Sequence, residues 1–349
     1  MKKILAILCA LAMIFALCAC GQTAAPAATE APAAEEAAPA EEAAPAEEAA
    51  PVEEAAEAQQ FTVGICQLVQ HPALDAATKG FEDALKAKLG DAVTFSEQNA
   101  SGDSATCAVI CSQFVSDEVD LILANATPAL LAAQSATNKI PILGTSVTDY
   151  ASALAIDNWN GATGTNISGT SDGVPAQAQA ELLQQVFPDA AKVGLLYCSG
   201  EPNSKFQADE IRPILEGMGY AVADFTFADS NDVAQVTANA CDDCNVLYIP
   251  TDNTAASNAE LINNVCLEKK VPVVAGEENL CAGCGCVTLS ISYYDLGSVT
   301  GEMAAEILAN GADVSTMEIK YAPFTGKYNA ANCEAQGVAI PEGFEAIEA

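Results

Sequence analysis

Residues 120–147 read DLILANATPALLAAQSATNKIPILGTSV. Asp120–Ala126 is an apolar run of strand length, too short to be a buried helix. Thr127-Pro128 then opens an apolar-rich stretch that reaches about Thr137. Proline is tolerated in the first turn of a helix, where its missing N–H would have no partner anyway. Ile140–Val147 is a second apolar run. Strand, helix and strand in this order make a βαβ unit, with parallel strands and a right-handed crossover. Such continuous apolar strands fit a sheet covered on both faces.

The same alternation extends in both directions. Upstream lie a strand at Phe61–Val69, a helix at Leu74–Leu89, a strand at Val93–Gln98 and a helix at Ser104–Val115. Downstream, strands are expected at Lys192–Cys198, Ala221–Phe227, Asn245–Pro250, Val271–Gly276 and Val287–Ser292. Helices fall between them at Ser204–Gly217, Asp232–Ala240 and Thr254–Lys269, and Leu296–Asn310 follows. The fold class is therefore α/β, with two Rossmann-like lobes of parallel strands joined by a hinge. The first lobe is expected over residues 61–187 and the second over 188–316. The tail, 317–349, is expected to cross back onto the first lobe.

In open α/β sheets, ligands sit beyond the carboxyl ends of the strands. Those ends are rich in polar groups here: Gln67 and His71; Ala126, Thr127 and Pro128; Ser146, Val147, Thr148 and Asp149; Asn203 and Ser204; Asp252 and Asn253; and Glu277. Leu74 and Asp75 follow His71 at the start of a helix. Clustering of this kind points to a small polar ligand in the cleft between the lobes. Thr127, at a strand-to-helix junction, serves either as a helix cap or as a donor to a carboxylate. Asp252 is the first choice for an ammonium partner and Glu277 the second, with plain capping as the other role for each. Tyr150, Trp159, Tyr293 and Tyr294 are the aromatics available for stacking or for core packing.

The amino terminus has a different character. Lys2 and Lys3 precede an apolar stretch, Ile4–Leu17. It is too short for a comfortable membrane span and suits a signal peptide over residues 1–19. Leu17-Cys18-Ala19-Cys20 matches a bacterial lipobox, with Cys20 as the lipidated residue. Residues 20–60 form an Ala/Pro/Glu linker with Glu pairs at 35/36, 41/42, 47/48 and 53/54. Pro32, Pro39, Pro45 and Pro51 interrupt any helix there, and a disordered tether is expected. The protein is thus expected on the outer side of the cell membrane, held by lipid alone.

The chain of 349 residues carries 13 Lys plus Arg against 47 Asp plus Glu, a net charge of −34. That excludes nucleic acid, whose binding requires neutralised phosphates, and favours a soluble monomer. A single histidine, with no nucleophile elbow and no phosphate-binding loop, argues against an enzyme and calls for no cofactor. Eleven cysteines lie beyond Cys20, an odd number. Cys241/Cys244 and Cys281/Cys284 have the spacing of a metal site. Free or disulfide-bonded thiols are the favoured reading, so no metal is assigned.

From Phe61 onward the chain resembles the tryptophan/tyrosine ABC-transporter substrate-binding proteins. The resemblance rests on His71-Pro72-Ala73-Leu74-Asp75, Phe114-Val115-Ser116-Asp117, Ala126-Thr127-Pro128-Ala129 and Val147-Thr148-Asp149. It continues through Ser199-Gly200-Glu201-Pro202-Asn203-Ser204, Pro250-Thr251-Asp252-Asn253-Thr254 and Tyr293-Tyr294-Asp295-Leu296-Gly297 to Gly301-Glu302-Met303-Ala304-Ala305. It implies a periplasmic-binding-protein-like fold of type I that closes on an amino acid, with tryptophan, tyrosine or phenylalanine as ligand. It also implies a permease and an ATPase on separate chains. Three other readings stay open: a nucleoside or sugar ligand in the same fold, a ligand sensor, and a cysteine-based metal-binding lipoprotein.

Overall fold

The computed structural model describes residues 59–347. The expected leader, Cys20 and nearly all of the linker lie outside the described residues. No helix among the described residues is long and apolar enough to cross a membrane.

The chain begins with β1 (Phe61–Gln67), α1 (Pro72–Leu89), β2 (Val93–Asn99), α2 (Ser104–Ser116), β3 (Leu121–Asn125), α3 (Thr127–Ala136), β4 (Ile142–Val147), α4 (Tyr150–Ala153) and β5 (Ile167–Ser171). It continues with α5 (Ala176–Val186), β6 (Lys192–Cys198), α6 (Pro202–Gly217), β7 (Ala221–Phe227), α7 (Val233–Asp243), β8 (Val246–Ile249), α8 (Asn253–Ser257), α9 (Ala259–Lys269), β9 (Val273–Ala275), α10 (Glu278–Cys284) and β10 (Val287–Ser290). Last come α11 (Tyr293–Asn310), β11 (Lys320–Tyr321), β12 (Thr325–Tyr328), α12 (Ala330–Gln336) and β13 (Glu345–Ala346).

Two sheets result. The first has the order β11-β5-β4-β3-β1-β2, with every pairing parallel. The second has the order β13-β12-β10-β9-β8-β6-β7, parallel except where β12 meets β10. Alternation along each strand fills both faces. On β3, Ile122 and Ala124 pack with Phe114 of α2 and Leu130 of α3. Leu121 and Leu123 turn the other way, onto Phe81 of α1 and Met303 of α11. The second sheet repeats this: Leu247 and Ile249 face α7 and α9, whereas Val246 and Tyr248 face α5 and α6.

The lobe boundaries differ from those expected in three respects. Helix α11, assigned to the second lobe, covers the first sheet beside α1. Glycines permit this: a Cβ on Gly297 would overlap the Ala77 carbonyl, and one on Gly80 would overlap the Tyr294 carbonyl. Helix α5, placed within 61–187, packs on α6 and the second sheet through Leu182 and Leu183. Within the tail, only β11 joins the first sheet, and β12 pairs antiparallel with β10, Val287 opposite Tyr328. The chain therefore crosses between lobes three times, after β5, β10 and β11. The helix expected over Thr254–Lys269 also breaks at Asn258, into α8 and α9.

Candidate functional site

Strand order reverses next to β1 in the first sheet and next to β6 in the second. The crevice at such a reversal is where open α/β sheets bind ligands. A small, tightly closed-in cavity lies there between the lobes. It is lined by His71, Leu74, Ser146, Thr148 and Asp172 from the first lobe, and by Asn203, Thr251, Asp252, Asn253, Ala256 and Glu277 from the second; Tyr293, at the crossing after β10, completes it.

Of the residues expected at the site, His71, Leu74, Ser146, Thr148, Asn203, Asp252, Asn253 and Glu277 line this cavity. Thr127 and Asp149 face an adjoining space that Asn203 shares. Pro128 lines a groove along the cleft rim. Gln67 and Asp75 turn away, because Gln67 Nε2 donates to Asp75 Oδ1 at 2.7 Å and Gln67 Oε1 accepts from Thr78 at 2.7 Å. Ser204 hydrogen-bonds the Thr251 carbonyl, and Ala126 and Val147 are core residues.

The free polar atoms are informative. Buried side-chain oxygens with no protein partner include Thr127 Oγ1, Ser146 Oγ, Asp172 Oδ1 and Asn203 Oδ1; His71 Nδ1 is an unpartnered nitrogen. A buried polar atom without a partner costs roughly 1–3 kcal/mol. Several around one cavity mark groups held ready for a ligand. Backbone strain coincides with them: Ser146 has φ 55° and Ala126 has φ 93°, the left-handed side that non-glycine residues avoid. Ala126 gives α3 no side-chain cap and Pro128 has no N–H, so the Thr127 and Ala129 N–H groups and the Thr127 hydroxyl are the donors placed to meet an anion. Capping is thus not the role of Thr127.

The carboxylates divide into two kinds. Asp252 accepts from Ala255 N and Cys198 N, each at 2.7 Å, so both of its oxygens are engaged within the second lobe. Glu277 caps α10, accepting from Asn279 N at 2.7 Å and from Leu280 N. Asp172 receives the Tyr293 hydroxyl on Oδ2 at 2.9 Å and keeps Oδ1 free. Sequence reasoning missed Asp172, because the strand before it is Ile-Ser-Gly-Thr-Ser and carries little apolar signal. Burial raises the pKa of all three: Asp172 upward, Glu277 to about 7, and Asp252 to about 8 with added repulsion from Glu201. No Lys or Arg lines the cavity to balance them.

His71 Nε2 lies 3.2 Å from Asn253 Oδ1, a contact that spans the two lobes. The lobes are therefore drawn together around the cavity.

The eleven cysteines beyond Cys20 are buried and free. Cys241 and Cys266 approach at 3.8 Å, and Cys333 bonds the Cys286 carbonyl. Cys241, Cys244, Cys281 and Cys284 share one apolar cluster. Among the described residues no group of three or more metal-ligating side chains is assembled.

Fold and site define a two-lobed binding protein that encloses a small molecule between its lobes. The sequence profile of the ABC transporter substrate binding proteins matches residues 62–346, and the chain belongs to that family, whose members work outside the cytoplasm. A tyrosine-binding protein of Clostridioides difficile is 38% identical over 253 residues, which is 72% of this chain and 73% of the relative. An ABC domain from Streptococcus pneumonia, solved with L-Trp, superposes with a TM-score of 0.78 at 29% identity, over 83% of this chain and all of that one. The ligand-free, open structure of a Clostridium difficile substrate-binding protein with adhesive properties gives 0.62 at 37% identity, over 82% of this chain and 99% of that one. The more similar sequence is thus the less similar shape.

Proposed function

We propose that this protein captures an aromatic amino acid by closing its lobes and delivers it to the permease of an ABC importer. The observation that carries the reading is Asp172 Oδ1, a buried carboxylate oxygen facing a cavity lined by no basic side chain. An α-ammonium group supplies the missing cation. Asp172 takes it, while Glu277 and Asp252 serve as caps. The α-carboxylate goes to Ser146 Oγ, Thr127 Oγ1 and the first N–H groups of α3. The tyrosine-binding relative and the tryptophan-bound neighbour support an aromatic side chain. Binding needs no cofactor and makes no or breaks no covalent bond.

The Lys2/Lys3 leader and Cys20 support export and lipid anchoring, with the Ala/Pro/Glu segment as tether. Cys20→Ala should release the protein from the membrane fraction into the medium.

The test is to strip bound ligand by partial unfolding, refold, and measure melting temperature with tryptophan, tyrosine and phenylalanine. Ligand at 100 times its Kd adds about 2.7 kcal/mol of stability. A rise with at least one of the three supports the reading. A rise only with sugars or nucleosides overturns it.

A further inference from the structure

Asn253 and His71 together fix a hydrogen position that X–H geometry alone leaves open. Glu201 accepts four bonds from the start of α8: Asn253 N and Nδ2 on Oε2 at 3.0 and 2.6 Å, and Thr254 N and Oγ1 on Oε1, both at 2.8 Å. Both Glu201 oxygens accept from backbone N–H groups, so the Asn253 side-chain atom facing Oε2 is the amide nitrogen. The other amide atom, Oδ1, therefore faces His71 Nε2, at 3.2 Å. Oδ1 also only accepts, so Nε2 must carry a proton. Burial lowers the His71 pKa and favours the neutral ring. In a neutral ring with Nε2 protonated, Nδ1 is a bare acceptor. It is buried and has no partner in the protein.

Its surroundings define what it can accept. Leu74 stands three residues beyond His71 on α1, and Ala256 three residues beyond Asn253 on α8, and both line the cavity. Leu74 and Ala256 thus give the lining beside His71 and Asn253 its aliphatic side chains. The same lining holds Asp172, which accepts from the Tyr293 hydroxyl on Oδ2 and keeps Oδ1 without a protein partner. An amino acid whose ammonium is held at Asp172 leaves the His71 Nδ1 acceptor for a donor on its side chain.

We infer that His71 is a specificity-determining residue: held in one tautomer by Glu201 acting through Asn253, it offers Nδ1 to a ring-borne N–H or O–H donor. The inference rests on the aromatic amino-acid reading above. It selects an indole or a phenol over a plain phenyl ring. Phenylalanine fills the same space but leaves Nδ1 unpaired. Leaving a buried acceptor unpaired weakens binding by on the order of 10–100-fold.

The chain has one histidine, so a protein isolated without a histidine tag and labelled with ¹⁵N-histidine gives one pair of ring signals. In complexes with L-tyrosine, L-tryptophan and L-phenylalanine, Nε2 should read as protonated. Nδ1 should move towards a hydrogen-bonded acceptor with tyrosine or tryptophan and read as a bare acceptor with phenylalanine. Calorimetry should show the 10–100-fold preference over phenylalanine, reduced to near unity in His71→Leu. A protonated Nδ1 in the preferred complex, or the same Nδ1 signal in all three, overturns the assignment while leaving aromatic amino-acid binding intact. If none of the three raises the melting temperature, the functional reading fails first and this inference with it.

Discussion

At the residue scale, the decisive contrast is between Asp172 and Asp252. Both are buried acids on the cavity, but one keeps a free oxygen and the other uses both for backbone N–H groups. Asp172→Asn removes the charge that an ammonium would meet. Truncating one partner of a buried charge pair costs about 2–5 kcal/mol, so calorimetric affinity should fall at least ~30-fold. The melting temperature of the ligand-free variant should hold or rise, because a desolvated carboxylate is gone. Asp252→Ala should behave in the opposite way. It uncaps α8 and strands the Cys198 amide, lowering stability by roughly 1–2 kcal/mol in a denaturant titration. Equal loss of affinity without loss of stability in Asp252→Ala would return the ammonium to that residue. The sequence made the strand-end residues legible because polar groups directly after apolar strands have few other reasons to be there. It did not separate Gln67 and Asp75 from the site, since their mutual bond depends on which way two side chains turn. Ser146→Gly tests the strained position: a glycine accepts φ 55° freely, so stability should rise by up to about 1 kcal/mol while ligand affinity falls with the hydroxyl.

At the scale of elements, periodicity identified most strands and helices, and order along the chain suggested which lobe each joined. Order failed for α11. A helix covers whichever sheet its apolar stripe fits, and that is a long-range fact. The clue was present in Gly80, Gly297 and Gly301, which let α11 approach α1 so closely that a Cβ at any of the three would strike backbone or a packed side chain. Strand β5 was illegible for a different reason. It is buried throughout yet, after Ile167, built of Ser, Gly and Thr, whose burial is satisfied by partners such as Thr170 with Thr300 on α11 at 2.8 Å. Gly297→Leu should force the helices apart. Overpacking of this kind costs about 1–3 kcal/mol or more, read as a lower denaturant midpoint. Because α11 follows the second interlobe crossing, the same variant should also weaken ligand binding. A variant with full stability would mean that α11 does not seat on α1 as described.

At the scale of the whole molecule, closing the lobes brings Asp172, Asp252 and Glu277 around one water-poor space. Each has its pKa raised by burial, to about 7 for Glu277 and about 8 for Asp252. An acid with a raised pKa in one state favours that state when protonated. The contribution is fully present below the ordinary carboxylate range of about 4 and is lost as pH rises through the raised value. The empty closed form is therefore favoured at low pH and becomes steadily less favourable between about pH 4 and pH 8. As pH rises through these values, the cost of burying ionised carboxylates opens the empty cleft, and a bound ammonium offsets that cost. Ligand thus closes the protein by its differential affinity for the closed state. The expected outcome in small-angle X-ray scattering is a ligand-free protein more expanded at pH 8 than at pH 5. Saturating aromatic amino acid should compact it at pH 8 and change it little at pH 5. If the ligand-free protein has the same radius of gyration at both values, the carboxylates do not control the hinge. The His71–Asn253 contact would then be left as the interlobe contact to test by substitution.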